Sequence, residues 1–306
     1  MGKYIDAHVH LVPEDAVGKR FEPLDSELAP YGFRHTHEGD FYALPPYMHD
    51  SQFTADTLVK MMDVYGVEYA VIQQTPLSPQ NEATARAVEK YPDRLAGAMM
   101  LAPAEGWQAE MDYWFGRGLK SIKFEMRSYA CEKMFPFVRY NEPPLLEMFR
   151  KAGSLGMTVT IDTAPVNFDI YTPDALYEAV SACPDTRFVI CHMGYPLPVD
   201  TPERKEKWRK MIAIAALPNC WLDLCAMPDF FDAEGWPFPT ALSLLGEVKK
   251  AVGCRKLLWG SDIPGTLNRA TYPQMQEMFR RADLTEEELV DIYYNNALTA
   301  YTLPLK

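Results

Sequence analysis

Short apolar runs alternate with amphipathic helical patterns along the chain, and this alternation limits the available folds more than any other feature. Eight runs are apolar on both faces, which is typical of parallel strands buried inside a sheet. Helical patterns separate these runs, so successive strands are expected to lie parallel. The predicted strands cover residues 4–10, 68–74, 95–101, 119–124, 157–163, 187–192, 220–225 and 256–262.

Eight such units in 306 residues predict a closed α/β barrel, the (β/α)8 or TIM barrel, as one domain over residues 1–306. An open doubly wound sheet is the main alternative. It would usually carry a glycine-rich phosphate-binding turn after its first strand, and this chain has His-x-His there instead. The predicted helices cover residues 54–66, 80–91, 106–117, 142–155, 173–183, 202–216, 239–252 and 272–300.

One segment interrupts this alternation of predicted strands and helices. Residues 11–53 are rich in proline, glycine, histidine and aromatic residues and show no steady period. A loop of this length inside a compact domain is usually functional or disordered, and the aromatic content argues against disorder. We therefore expect a structured excursion over the barrel mouth.

Composition excludes several classes of partner. A formal net charge of −12 is unfavourable for binding a phosphate backbone, so no nucleic-acid partner is expected. The sequence has no apolar stretch long enough for a membrane span and no signal-peptide pattern. Its six cysteines lack Cys-x-x-Cys spacing, which predicts reduced, buried thiols in a cytoplasmic protein. A small molecule is the expected partner, and a homo-oligomer is compatible with the sequence.

The first predicted strand ends in His8 and His10. Residues i and i+2 of a strand point to the same side, so the two imidazoles project together. Two imidazoles on one face make half of a site for zinc or another transition metal. A chance His-x-His pair is the alternative interpretation of this motif alone.

Other predicted strands also end in polar side chains. The active site of a TIM barrel lies at the carboxyl ends of its strands. Polar groups there are unfavourable unless they are paired or ligating, so several of them predict a site. They are His8 and His10 on strand one, Lys123 on strand four with Glu125 and Arg127 beyond it, Asp162 and Thr163 on strand five, His192 on strand six, Asp223 and Cys225 on strand seven, and Ser261 and Asp262 on strand eight.

Three of these strand ends together resemble the amidohydrolase superfamily. They are His-x-His at residues 8–10, Cys-His-Met-Gly at 191–194 and Gly-Ser-Asp-Ile-Pro at 260–264. Residues 62–67 and 296–301 resemble a first-helix and a C-terminal-helix signature of one branch. That branch, amidohydrolase 2, includes aminocarboxymuconate-semialdehyde decarboxylase and γ-resorcylate decarboxylase. The likeness extends over essentially the whole chain.

The resemblance implies a role for each matching position. His8 and His10 would bind one divalent metal ion, zinc or alternatively manganese. Asp262 would bind the same ion and orient or deprotonate the attacking water. His192 would act beside the metal as general acid or base, a role that suits an imidazole because its pKa lies near neutrality.

The sequence departs from this family pattern on strand five. Members of the branch usually have a histidine ligand there, and this chain has Asp162. A carboxylate can also ligate zinc or manganese, so Asp162 is a candidate fourth ligand. Alternatively the metal is weak or absent, as in related lactonases that use the strand-eight aspartate as base.

The remaining polar residues have two interpretations each. Arg127 could bind a substrate carboxylate through two nitrogens of its guanidinium group, or it could be a solvated loop residue. Arg269 has the same two interpretations. Lys123 is expected to form a buried ion pair. Cys225 has no histidine at a recognisable spacing after it, which argues against a nucleophilic role. Three loop histidines are expected at the surface: His35, His37 and His49.

Three functional hypotheses remain. The first is an enzyme, a metal-dependent hydrolase of a small-molecule lactone, ester or amide. The second is a decarboxylase, or carboxy-lyase, acting on an aromatic or unsaturated carboxylic acid. The third is a non-catalytic barrel that keeps these residues by ancestry. Fold alone cannot choose among them. The whole-chain likeness favours the decarboxylase, the departure at Asp162 favours the hydrolase, and the hydrolase is the function we expect.

Overall fold

Eight parallel strands lie side by side in chain order and close into a barrel in the computed structural model, which describes residues 3–21, 25–36, 39–75, 80–125 and 139–305. The predicted fold is therefore confirmed. The strands are β1 (Tyr4–Val9), β2 (Val67–Ile72), β3 (Leu95–Met99), β4 (Ser121–Glu125), β5 (Thr158–Asp162), β6 (Arg187–Ile190), β7 (Cys220–Asp223) and β8 (Leu257–Leu258).

Helices connect the strands and cover the outside of the barrel, as parallel neighbours require. They are α1 (Ala55–Tyr65), α2 (Asn81–Lys90), α3 (Trp107–Gly116), α4 (Pro143–Ser154), α5 (Pro173–Ser181), α6 (Pro202–Ala213), α7 (Met227–Phe230), α8 (Pro239–Val252), α9 (Tyr272–Met278), α10 (Glu286–Val290) and α11 (Asn296–Tyr301). Among these described helices, none combines the length and the apolar character that crossing a bilayer requires.

Helix α1 illustrates how local sequence sets these boundaries. The side chain of Thr54 accepts a hydrogen bond from the backbone N–H of Thr57, which satisfies one of the unpaired donors of the first turn. Gly66 ends the helix at a φ of 71°, a left-handed conformation that glycine adopts without strain. Both ends agree with the prediction.

Strand β8 is shorter than predicted. Residues 256–262 were expected to be extended, but only Leu257 and Leu258 are. Asp262, four residues beyond the end of β8, has a left-handed φ of 61°, which lies outside the extended region. The chain still follows β1, because the backbone N–H of Asp262 donates to the carbonyl of His8 at 2.8 Å and that of His10 donates to Ile263 at 2.7 Å. These bonds close the barrel at its mouth.

The C-terminal segment was predicted as one helical tail over 272–300, but residues 282–285 interrupt it. Beyond the interruption, a π-helical turn at Asp291–Asn295 joins α10 to α11 without a break. A second helix begins at Thr285, whose side chain and that of Glu288 form a capping box. The last helix, α11, closes the barrel end at which the strands begin, because Thr158 at the start of β5 donates to the carbonyl of Ala300 at 2.7 Å. Tyr301 reaches into the interior and lies 3.2 Å from the hydroxyl of Thr160.

The predicted excursion between β1 and α1 is structured where it is described. It contains four short antiparallel strands, and a bridge between Val12 and Phe53 joins its two ends. Asn268, which follows β8, donates to the carbonyl of Tyr42 at 3.3 Å, so the excursion lies at the barrel mouth. Its strands are Arg20–Phe21, Ser26–Leu28, Phe33–His35 and Phe41–Tyr42.

Candidate active site at the barrel mouth

Two histidines and an aspartate converge where β1 and β8 meet. His10 Nε2 lies 2.9 Å from Asp262 Oδ1, and His8 Nε2 lies 3.6 Å from the same oxygen. Their ligand atoms all lie within 4.8 Å of one another. The structure therefore brings together three of the four residues that the sequence predicts as metal ligands.

The other nitrogen of each imidazole is held by an acceptor. His8 Nδ1 is 2.9 Å from Asp223 Oδ2, and His10 Nδ1 is 2.9 Å from the backbone carbonyl of Gln73. A carbonyl can only accept, so Nδ1 of His10 carries the hydrogen and its Nε2 presents a lone pair to Asp262. Two acceptors that face each other need a positive charge between them, a proton or a metal ion. Nδ1 contacts of this type fix metal-ligating histidines in proteins, so this donor set fits a divalent ion.

The charge states of two of these residues also suit ligation. Burial, together with the nearby Lys123 ammonium, lowers the pKa of His8 to about 4, so its imidazole is neutral at pH 7. Burial alone would raise the pKa of Asp262. A proton held between His10 and Asp262, together with the nearby imidazole of His8, outweighs that effect and holds the pKa of Asp262 well below its usual range. A neutral imidazole and an ionised carboxylate are the forms that bind zinc.

Asp162, the fourth predicted ligand, has other partners in this structure. Its Oδ2 lies 3.0 Å from His192 Nε2 and 3.5 Å from the ammonium of Lys123. Lys123 also lies 3.4 Å from Glu125, so it forms the buried ion pair that the sequence predicts. Asp162 is not in the group formed by His8, His10 and Asp262 among the described residues. Its role as a fourth ligand stays a prediction.

His192 follows β6 in a strained conformation. Its φ is 56°, in the left-handed region that side chains other than glycine rarely adopt. The carboxylate of Asp223 stabilises this backbone by accepting the N–H of His192 at 2.7 Å. Burial alone would lower the pKa of the imidazole, but the Asp162 carboxylate outweighs burial and raises this pKa to about 9. The raised pKa favours the protonated imidazole of His192 at neutral pH in the metal-free protein.

Asp223 and Cys225 connect His8 with His192. Asp223 contacts His8 through Oδ2, and Cys225 Sγ lies 2.8 Å from Oδ1 of the same carboxylate. Sγ also lies 3.0 Å from His192 Nδ1, so the histidine partner that sequence spacing did not reveal is present in space. Burial alone would raise the pKa of Asp223, but its interaction with His8, through the hydrogen bond and through the charge that His8 acquires at low pH, outweighs burial and lowers this pKa to about 2.

Asp6 was missed by the sequence analysis. It is fully buried on β1, and its carboxylate accepts the backbone N–H of Ser261 at 2.8 Å and the hydroxyl of Tyr272 at 2.7 Å. Burial raises the pKa of Asp6 to about 6. The available signal was an acid within an apolar strand two residues before a candidate ligand, because such a group must find partners when it is buried.

The remaining predicted residues lie away from this cluster or outside the described residues. Arg127, the predicted substrate-binding residue, and His37 belong to the segments that are not described. Arg269 forms an exposed ion pair with Asp232 at 3.1 Å. His35 and His49 are exposed, as expected, and pair with acidic neighbours.

Two aromatic side chains stand next to His192. The ring centroids of Tyr195 and Phe230 are 4.5 Å apart, and Phe230 lies 5.9 Å from the imidazole of His192. Both rings are partly exposed. They form an apolar wall beside the proton donor, suited to the body of a small organic substrate.

The model of the amidohydrolase family matches residues 5–303. No curated protein matches the chain in sequence.

Solved structures share the fold. A probable 2-pyrone-4,6-dicarboxylic acid hydrolase from Acinetobacter baumannii, crystallised with citric acid, is 19% identical with a TM-score of 0.70, over 98% of this chain and 99% of that one. An amidohydrolase from Burkholderia multivorans with bound zinc is 15% identical with a TM-score of 0.71, over 98% and 99%. A 2,6-dihydroxybenzoate decarboxylase from Rhizobium is 14% identical with a TM-score of 0.59, over 99% and 98%.

Proposed function

The chain belongs to the amidohydrolase family, whose members are metal-dependent hydrolases or carboxy-lyases, and we propose that it hydrolyses a small lactone, ester or amide at the barrel mouth. The observation that carries this proposal is the convergence of two imidazole Nε2 atoms on Asp262 Oδ1. This arrangement supplies ligands and a proton acceptor at one point. Hydrolysis needs an acceptor for a proton of water, and decarboxylation does not.

The metal ion belongs to the proposal. His8, His10 and Asp262 would hold one divalent ion, zinc or alternatively manganese, with Asp162 as the candidate fourth ligand. When bound, such an ion polarises a carbonyl oxygen and makes water more acidic. The zinc-bound relative from Burkholderia multivorans supports this assignment.

The protein groups have separate tasks in the proposed reaction. Asp262 is ionised and orients the attacking water, whose proton it accepts. Its low pKa makes it a weak base, so this transfer depends on acidified water. In the absence of substrate the Nε2 of His192 faces the Asp162 carboxylate at 3.0 Å, which stabilises the imidazolium. In the proposed reaction the leaving oxygen or nitrogen takes the proton from this Nε2 in place of Asp162. Arg127 is the proposed substrate-binding residue, a role that would suit a substrate carboxylate.

Decarboxylation is the second candidate, and the protonated state of His192 favours it. A non-oxidative decarboxylase must deliver a proton to carbon, and the carboxylates around the buried imidazole of His192 raise its pKa, which favours its protonated form. The solved relatives include a 2,6-dihydroxybenzoate decarboxylase and a 5-carboxyvanillate decarboxylase.

A substrate panel separates these two reactions. The zinc-loaded protein would be incubated with lactones, esters, amides and aromatic carboxylic acids, and both product formation and carbon dioxide release would be measured. We expect hydrolysis without carbon dioxide release, and loss of that hydrolysis in Asp262→Asn. Carbon dioxide release from an aromatic acid would replace the hydrolase with the decarboxylase. No turnover of any compound would support a non-catalytic barrel.

A further inference from the structure

The thiol of Cys225 lies between the proposed proton donor and a buried carboxylate. Its Sγ is 3.0 Å from His192 Nδ1 and 2.8 Å from Asp223 Oδ1. Cys225 is 1% exposed and His192 is 2% exposed, so bulk water does not compete for these contacts. Both contacts are therefore made within the protein, and their donors and acceptors can be counted.

Only one arrangement of hydrogens satisfies both contacts. A thiol has one hydrogen, and an ionised carboxylate only accepts, so the S–H of Cys225 donates to Asp223. Sγ then faces His192 as an acceptor, and Nδ1 of His192 must carry a hydrogen. The opposite arrangement, with S–H donated to Nδ1, would leave the lone pairs of Sγ against those of Asp223 Oδ1.

We propose that Cys225 is a positioning residue for His192, which accepts the Nδ1–H and thereby holds Nε2 as the nitrogen that exchanges a proton with substrate. This inference rests on the proposed role of His192 as proton donor. Asp223 completes the arrangement, because its Oδ1 also accepts the backbone N–H of His192 at 2.7 Å. The backbone of His192 therefore contacts the Asp223 carboxylate directly, and its imidazole ring contacts the same carboxylate through Cys225.

The same atoms allow a competing role for the thiol. His8, His192, Asp223 and Cys225 are all buried, and they offer ligand atoms within 4.8 Å of one another. A thiolate is a strong zinc ligand, so a metal ion bound to these four residues would replace the hydrogen bonds of Cys225. As a ligand, Cys225 would be deprotonated and could not donate to Asp223.

Four variants distinguish these roles. Cys225→Ala removes the acceptor, Cys225→Val removes it while nearly keeping the volume, and Cys225→Ser restores one donor and one acceptor. Cys220→Ala is the matched control, because Cys220, at the start of β7, is also a buried cysteine, and its Sγ donates a hydrogen bond only to the carbonyl of Trp221 among the described residues.

Nuclear magnetic resonance of ¹⁵N-histidine-labelled protein tests the arrangement without any substrate. His192→Asn would assign the signals of His192. We expect a protonated Nδ1 in the wild type, in Cys225→Ser and in Cys220→Ala, and a changed Nδ1 signal in the alanine and valine variants of Cys225. A wild-type Nδ1 without hydrogen, or signals unaltered in Cys225→Val, would overturn the proposal.

Kinetic and cobalt measurements test the consequence. Loss of a partner that orients an active histidine lowers activity by about 10- to 100-fold, so we expect kcat of Cys225→Ala and Cys225→Val to fall by that factor with KM nearly unchanged, and Cys225→Ser to recover most of it. A change in KM without a change in kcat would overturn the positioning role of Cys225.

In cobalt-loaded protein, a thiolate-to-cobalt absorption band that disappears in Cys225→Ser would identify Cys225 as a metal ligand and would also overturn the positioning role. If no substrate is found, the proposed function fails, and the resonance and cobalt results still decide the position of the thiol.

Discussion

His192 and Asp262 both have left-handed backbones at the barrel mouth, and their different neighbours suit them to the different tasks that we propose. Asp262 faces the Nε2 atoms of His8 and His10, whereas His192 faces Asp162 and Cys225. Left-handed conformations cost of order 1–3 kcal/mol each outside glycine and persist where the surroundings impose them. The proposed roles, Asp262 as a metal ligand and His192 as a proton donor, can therefore be tested by substituting one residue at a time.

The first prediction concerns His192→Asn. We expect turnover to fall by roughly 100-fold or more, the usual scale for a positioned acid or base, while metal content stays close to that of the wild type. Asp262→Asn should reduce both turnover and metal content. Both quantities would be measured in both variants by steady-state kinetics and elemental analysis. If His192→Asn loses metal as completely as a variant of His8, then His192 is a ligand.

The second prediction concerns the metal ligands. His8→Ala should reduce the zinc retained after loading and dialysis to a small fraction of the wild-type content, because it removes one of three converging donors. His49→Ala is the control, since His49 is an exposed histidine outside the cluster. Wild-type protein that retains no zinc under these conditions would contradict the metal assignment and favour metal-free chemistry at Asp262.

At the scale of elements, the mouth is built by the close approach of β1 to the end of β8. Gly260 makes this approach possible. A Cβ at Gly260 would lie 2.8 Å from His8 Cβ, 3.0 Å from His8 N and 3.2 Å from Cys225 Cβ. Distances below 3.0 Å force the neighbouring chain to move, and here the neighbour carries a predicted metal ligand.

The third prediction follows from this packing. Gly260→Ala should lower the free energy of unfolding by about 1–3 kcal/mol, the usual range for an overpacked core, and should weaken zinc binding. Gly246→Ala is the matched control, because a Cβ at Gly246 in α8 would meet no other atom within 4 Å; it should stabilise the protein by about 0.5–1 kcal/mol. Urea denaturation would measure both. Equal stability of the two variants would show that β1 and β8 pack less closely than described.

The arrangement of the strands also explains which parts of the site could be predicted from the sequence and which could not. The strand ends were predictable, because His8, His192 and Asp262 are polar groups that follow apolar runs. The contact between His192 and Cys225 could not be predicted from the sequence. It depends on the register of β6 against β7, in which Ile190 is paired with Leu222. The short strands of the excursion were also missed, since two or three residues are too few to show a period.

At the scale of the whole molecule, the buried histidines make folding stability depend on pH in opposite senses. The folded pKa of His8, about 4, lies below the ordinary value of 6.5, so His8 lowers stability as the pH falls from 6.5 to 4. The folded pKa of His192, about 9, lies above 6.5. Its contribution is therefore complete below pH 6.5 and is lost as the pH rises to 9.

The fourth prediction isolates the contribution of His192 in metal-free protein. At about 1.4 kcal/mol per pKa unit, His192 contributes on the order of 3 kcal/mol below pH 6.5. The difference in free energy of unfolding between the wild type and His192→Asn should therefore shrink steadily between pH 6.5 and 9. Urea denaturation with a chelator present and constant ionic strength would measure it, with His49→Ala as the control. If this difference in free energy of unfolding is constant between pH 6.5 and 9, then His192 is already neutral in the folded protein. That result would contradict its role as proton donor.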